Sequence, residues 1–289
     1  MRRAPAPDRI KGNRLTRSSG FRPTRATRSG RALAALGAWA LATSASAPPA
    51  VDDALILGDS LPQRLSEFGL LAGPYGTVPN RRVTAYRLNT PLFSDYAEKW
   101  RYLYVPEGKA IGWRDEGVLD FPVGSVLVKS FGYPADFRKP DAAVRILETR
   151  LLIRRQGGWV ALPYVWNEDG SDAILARAGK RIDIGWTDAG GQPRSLSYAV
   201  PNVNQCKGCH VDGAGMVVPI GPKAPNLDDG TQLQGFAKAG YLPGLPDRRA
   251  RFPVWNDPAS GTVEARARAY LDVNCGHCHN PSGPANTSG

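Results

Sequence analysis

All four cysteines of the 289-residue chain fall in two copies of one five-residue pattern, Cys206-Lys207-Gly208-Cys209-His210 and Cys275-Gly276-His277-Cys278-His279. On a helical turn the positions i, i+3 and i+4 share a face, so each copy presents two thiols and one imidazole together. That grouping suits covalent haem: two sulfurs meet the two vinyl groups of a porphyrin while the imidazole reaches the iron. The competing uses of C-x-x-C are a zinc knuckle, a thioredoxin-like redox pair and a strained disulfide. Zinc ribbons set their pairs about 15 to 20 residues apart, whereas 65 residues separate Cys209 from Cys275. No βαβ pattern surrounds either pair. The expected cofactors are two covalently attached haem c groups, one on Cys206, Cys209 and His210, the other on Cys275, Cys278 and His279. His210 and His279 are the expected iron ligands.

The chain has only one further histidine, His277, so residues 1 to 209 supply no imidazole for a copper, zinc or non-haem iron site. The formal charge of +11 does not mark a nucleic-acid partner, because ten of the 37 basic residues crowd into the first 47 positions against a single acid, Asp8. The rest is nearly neutral. After Arg31 an apolar run, Ala32 to Ala42, leads to Ala45-Ser46-Ala47-Pro48, the layout of an export signal with a small-x-small exit near Ala47. A run this short does not cross a bilayer of ~30 Å as a helix. The expectation is a periplasmic protein, soluble and without a stable transmembrane segment; four cysteines in such a compartment ordinarily suggest disulfides.

Between 81 and 200, short segments rich in aromatic and β-branched residues read as strands: Arg82 to Leu88, Trp100 to Val105, Ser125 to Phe131, Arg145 to Arg155, Trp159 to Trp166, Arg181 to Trp186 and Ser195 to Val200. Turn formers such as Gln156-Gly157-Gly158 and Asp188-Ala189-Gly190-Gly191 separate them. Asn167 to Asp172 groups three carboxylates but lacks the spacing of a calcium loop and reads as a hairpin turn. Trp100, Trp159, Trp166 and Trp186 read as core, with a sugar platform as the rarer use. Beyond Pro201 Gly and Pro become dense, and helices are expected near Thr231 to Gly240 and Thr262 to Asn274. Thr262 is the expected N-cap, and Val263, Ala267, Tyr270 and Leu271 the apolar stripe. The fold expected is multidomain: residues 1–47 a signal segment with a basic lead, 48–80 a linker, 81–200 an all-β sandwich or barrel-like domain, and 201–289 a mainly α cytochrome c-like domain.

Residues 201 to 289 resemble class I cytochrome c modules, and Ile220-Gly221-Pro222-Lys223-Ala224-Pro225-Asn226-Leu227 is similar to their glycine-proline loop. Together with Thr90-Pro91-Leu92-Phe93-Ser94-Asp95-Tyr96, Tyr164 to Asp169 and Arg268-Ala269-Tyr270-Leu271, the chain from about 60 to 289 resembles a poorly characterised family of bacterial dihaem c-type cytochromes. The resemblance implies that the Pro222 carbonyl accepts a hydrogen bond from His210, that a distal methionine faces the proximal histidine, and that a further C-terminal segment follows the ten residues after His279. Apart from Met1, Met216 is the one thioether. It lies six residues after His210, a link of at most about 20 Å, which favours apolar contact over iron ligation. His277 is the other distal candidate, toward a neighbouring haem.

The function expected is single-electron transfer between soluble or membrane-bound redox proteins. Lys207, Lys223 and Lys238 are candidates for steering an acidic partner. Two rivals stand beside it: a dihaem peroxidase-like enzyme, which wants a proton-moving distal histidine, and a binding module in which the β region tethers the haems to a carbohydrate or protein.

Overall fold

The aromatic and β-branched segments form ten strands: β1 (Leu71–Ala72), β2 (Val78–Pro79), β3 (Val83–Ala85), β4 (Glu98–Tyr104), β5 (Val126–Pro134), β6 (Val144–Arg155), β7 (Gly158–Trp166), β8 (Ala173–Leu175), β9 (Lys180–Thr187) and β10 (Pro193–Val200). The structure is a computed structural model that describes residues 50–281, 283 and 285–287; the export signal expected over residues 1–47 lies outside them. Strands β3 to β8 pair in chain order as one antiparallel meander, while β1–β2 and β9–β10 are separate hairpins. Such order follows from short turns between consecutive strands.

Because side chains alternate across a strand, the pairing sorts them onto two faces. One face carries Tyr102 and Tyr104, Val126 and Val128, Leu151 and Ile153, and Leu162 and Tyr164. It is covered by the segment before β3: helix α1 (Asp53–Leu57) supplies Ile56, and the following turns supply Leu65, Phe68 and Leu70. Arg155 fastens this cover through its guanidinium to the carbonyls of Ile56 and Ser60, each at 3.0 Å.

The other face is covered in two pieces. At one end Leu103, Leu127 and Leu152 pack under Ala224 and Leu227 of helix α3 (Ala224–Leu227), Leu233 and Phe236 of helix α4 (Gln232–Lys238), and Leu242. At the other end Phe131 and Val165 pack under Ile184, Tyr198 and Val200 of the β9–β10 hairpin. The described residues fall within one compact unit.

Among the described residues a mainly α cytochrome c-like domain is not seen; strand accounts for 30% of them and helix for 19%. The physical reason lies in the segments after Pro201. Apart from the helix Val263–Asn274, its helices are four to seven residues long, too short to be stable or to enclose a core by themselves. The apolar residues of α3 and α4 are buried against the sheet, so that part of the chain joins the β core instead of forming a second one.

The four tryptophans are packed against the cores. Trp100 and Trp166 lie against the first face, Trp159 meets Phe121 edge to face at 5.9 Å, and Trp186 tilts on Tyr133 at 5.0 Å. The Asn167–Asp172 stretch is the β7–β8 turn, closed by Asn167 N–H donating to the Asp172 carbonyl at 2.9 Å. The Asp172 carboxylate is taken up by Ser66, whose hydroxyl donates to it at 2.6 Å.

Candidate haem-binding site

Strand β10 ends at Val200, Pro201 breaks the ladder, and the chain enters helix α2 (Val203–Cys209). Asn202 caps it: its side chain accepts from the N–H groups of Asn204 and Gln205 at 3.0 and 2.8 Å, and Gln205 returns a bond to the Asn202 N–H. Cys206 and Cys209 are thus one turn apart on a capped helix, with His210 at its C-cap.

A tight hairpin then turns the chain back on the histidine. Val211 bridges Val217, Gly215 adopts φ +77°, and Asp212 accepts from the N–H groups of Ala214 and Met216. The return brings Val218 against His210 twice: its N–H donates to the His210 carbonyl at 2.8 Å, and its carbonyl accepts from the imidazole Nδ1, also at 2.8 Å. A carbonyl only accepts, so Nδ1 carries the proton and Nε2 presents its lone pair. Burial, reinforced by Lys129 and Arg150, pushes the imidazole pKa down to about 4 and keeps it neutral, the form that ligates metals.

The carbonyl partner of His210 is therefore Val218, not Pro222. The Pro222 carbonyl accepts from the Leu119 N–H at 3.2 Å, because the loop at 220–223 is tied to the 118–119 segment, where Val118 bridges Lys223.

Cys206, Cys209 and His210 line a cavity of about 250 Å³. Its other walls are Leu92 and Ser94 of the 90–96 loop, Ile220 to Pro222, Val273, and the sheet residues Arg101, Lys129 and Arg150. The 90–96 loop is held in place by Asn226, whose amide bridges the Thr90 N–H and carbonyl at 2.8 and 3.0 Å. The cavity is smaller than the ~300–1,000 Å³ usual for cofactor pockets, and Cys209 at its rim is exposed. A porphyrin attached there would keep an edge in solvent. Two observations fit such a group: the thiols and the neutral imidazole share the cavity, and a buried arginine nitrogen, Arg101 Nη2, has no hydrogen-bond partner.

The second motif follows helix α5 (Val263–Asn274), which begins at Thr262 as expected, its hydroxyl accepting from the Ala265 N–H at 3.1 Å. The expected stripe is not the buried one: Val263 and Leu271 are 75% and 55% exposed, while Ala269 and Val273 are buried. Asp272 explains the rotation, because its carboxylate meets Lys223 at 2.5 Å and turns the Ala269–Val273 side inward. Past the helix, Cys275 accepts from the N–H groups of Cys278 and His279 at 3.0 and 2.9 Å, continuing the turn. Cys275 and His279 are exposed, and Cys278 and His277 are partly covered.

The two motifs lie close enough to act on one another electrostatically. Burial raises the Cys278 pKa and the thiols of Cys209 and Cys275 add to it, and His277 contributes to lowering that of His210. All four cysteines are free thiols. Among the described residues no three His, Cys, Asp or Glu side chains gather so as to hold a metal ion. Met216 lies apart from the first motif's cavity. It is 46% exposed at the hairpin end and lines a separate open cleft with Arg114, Gly158 and Trp159. Lys223 is engaged with Asp272 and only 19% exposed, which removes it from the steering residues.

Sequence reasoning missed Val218 and the sheet residues Arg101, Lys129, Arg150 and Glu148. The signal available for the last four is a charge at core-facing positions of otherwise apolar strands, as Lys129 within Val126 to Phe131.

No family model matches the chain, and neither the curated proteins nor the solved structures contain a match. No described helix is long and apolar enough to cross a membrane.

Proposed function

We propose that the chain is an exported dihaem c-type cytochrome that passes single electrons between redox proteins, with one haem on Cys206, Cys209 and His210 and the other on Cys275, Cys278 and His279. The observation that carries the reading is the first motif's geometry: two free thiols one helical turn apart and a neutral imidazole, its Nδ1 fixed by Val218, beside a shared cavity. Haem supplies an iron that cycles by one electron, its potential set by ligands, hydrogen bonds and burial. Each thiol would add across a vinyl double bond, sulfur to one carbon and hydrogen to the other, so attachment consumes no oxidant. The Val218 carbonyl accepts a hydrogen bond from His210 Nδ1–H, which raises the donor strength of Nε2 and fixes the ring plane. The electrostatic proximity of the two motifs supports electron exchange between their haems, and the exposed rim at Cys209 supports exchange with a partner.

The test is expression in a host with haem-attachment machinery, followed by a pyridine haemochrome spectrum and an intact-mass measurement. Two covalent haems are expected. The pair Cys206→Ala and Cys209→Ala should remove one haem's worth of mass and absorbance. A colourless wild-type chain, or pigment released into acidified acetone, refutes the reading.

A further inference from the structure

The sheet face turned toward the first motif carries a row of three cations, of which the protein itself pairs only one with a carboxylate. In register, Arg101 of β4 stands opposite Lys129 of β5, and Lys129 stands opposite Arg150 of β6. This row lies between the two covered ends of the face: Leu103, Leu127 and Leu152 form one neighbouring row, and Lys99, Phe131 and Glu148 the other. Like charges directly opposed on one face destabilise a sheet. All three cations line the cavity that holds Cys206, Cys209 and His210.

Only Arg150 has a carboxylate partner. Its guanidinium donates to both Glu148 oxygens, at 2.6 and 2.9 Å. Arg101 is 9% exposed; Nη1 makes a long bond of 3.4 Å to the Lys99 carbonyl, and Nη2 is buried with no partner. Lys129 has neither a hydrogen bond nor an ion pair among the described residues, and its Nζ lies 4.8 Å from the centre of the Phe131 ring. Arg101 is buried and Lys129 partly buried, and burial with the neighbouring Arg101 and Arg150 pushes the Lys129 pKa well down, so an anion between them would stabilise both as cations.

Haem carries such anions. Its vinyl and propionate substituents leave opposite edges of the ring, so thioethers to α2 on one side of the cavity send two carboxylates away from that helix. Resting on the covalent-haem reading of this site, we propose that Arg101 and Lys129 are the docking pair for the propionate carboxylates of the haem on Cys206 and Cys209. The sheet is then one wall of the haem site, and the β region serves the cofactor directly.

The experiment compares the haem-loaded wild type with Arg101→Gln, Lys129→Gln and Arg101→Lys, reading absorption spectra and redox titrations. A cation beside the propionates favours the arriving electron. Each Gln variant should keep two haems and unchanged coordination bands, while the reduction constant of one haem falls about tenfold, a downward shift of 59 mV for one electron. Arg101→Lys should stay within about threefold of wild type, since it keeps the charge. Unchanged potentials in both Gln variants overturn the proposal. A changed coordination band in Lys129→Gln also overturns it, by making Lys129 an iron ligand. A haem-free wild type would overturn the covalent-haem reading itself, whereas a loaded wild type with indifferent variants sinks this inference alone.

A second measurement guards against misfolding. In the full chain with Cys206→Ala and Cys209→Ala, which lacks this haem, Lys129→Gln relieves repulsion and should raise the thermal midpoint; in the loaded protein the same change should lower it. A fall in both backgrounds means Lys129 is merely structural and overturns the proposal.

Discussion

Replacing Glu148 by glutamine isolates the one charge compensation that the cation row possesses. Glu148 is fully buried. One of its oxygens accepts from Arg150 Nη2 at 2.6 Å and from the Tyr198 hydroxyl at 2.5 Å, and the other accepts from Arg150 Nε at 2.9 Å. Burial pushes the Arg150 pKa down, but these bonds outweigh it and hold the guanidinium above its ordinary value. The amide of Glu148→Gln is neutral and brings N–H groups toward a donor, so Arg150 is left charged next to Lys129. Breaking one partner of a buried pair costs about 3–5 kcal/mol. Because the Arg150 side chain is 31% exposed, solvent returns part of that, and the expected loss is about 3 kcal/mol. With a urea slope near ~3 kcal/mol per molar for a chain of this size, the midpoint should fall by about 1 M. The assay is urea unfolding followed by far-ultraviolet circular dichroism in the Cys206→Ala, Cys209→Ala chain. Adding Arg150→Met should restore most of the loss, since a pair removed from both sides is close to neutral. A midpoint shift under about 0.3 M for the single variant would refute the reasoning.

Three further outcomes follow from the packing and charges. Leu227 is 2% exposed and packs in the cluster that contains Leu103 and Leu127 of the sheet, so Leu227→Ala should cost about 2–5 kcal/mol; circular dichroism and haem absorbance should move together, and two separated transitions would deny the shared core. Burial first, and Arg101 second, lower the Lys99 pKa to about 8 from an ordinary 10.5, with Glu98 and Asp95 opposing. Between those values the unfolded chain binds more protons, so stability should rise with pH across pH 8 to 10.5, and Lys99→Met should flatten that slope in urea titrations. Thr262→Ala, which removes the cap bond to Ala265, should lower stability by about 1 kcal/mol in the same titration.

Much of the sheet was legible because its strands obey two local rules, alternation and β-branched or aromatic content, and turn residues mark their ends. Trp159 to Trp166 is the clearest case, matching β7 within a residue. The cap at Thr262 was legible for the same reason, since a hydroxyl three residues before a backbone N–H is a local pattern. The orientation of α5 was not, because it depends on Lys223 reaching Asp272 across 49 residues of chain. Nor was the partner of His210: choosing between the carbonyls of Val218 and Pro222 depends on how tightly the hairpin closes after the histidine, which Asp212 and Gly215 decide.

The cation row shows why a site can be half visible. Its thiols and imidazole declare themselves by spacing within five residues, yet the opposing wall is written in three strands at positions 101, 129 and 150, and only the register brings them into line. Each of these charges, taken alone, is a tolerable exception to alternation, one long side chain able to reach solvent. Three exceptions at one register, beside a row of three leucines on one side and Phe131 between Lys99 and Glu148 on the other, are not independent. A sheet selected for stability alone would carry leucine or valine there, as the adjacent 103, 127 and 152 row does. The departure from that pattern falls where the thiols of α2 look across the cavity, so the strands that fail as pure core are the ones that face the proposed cofactor.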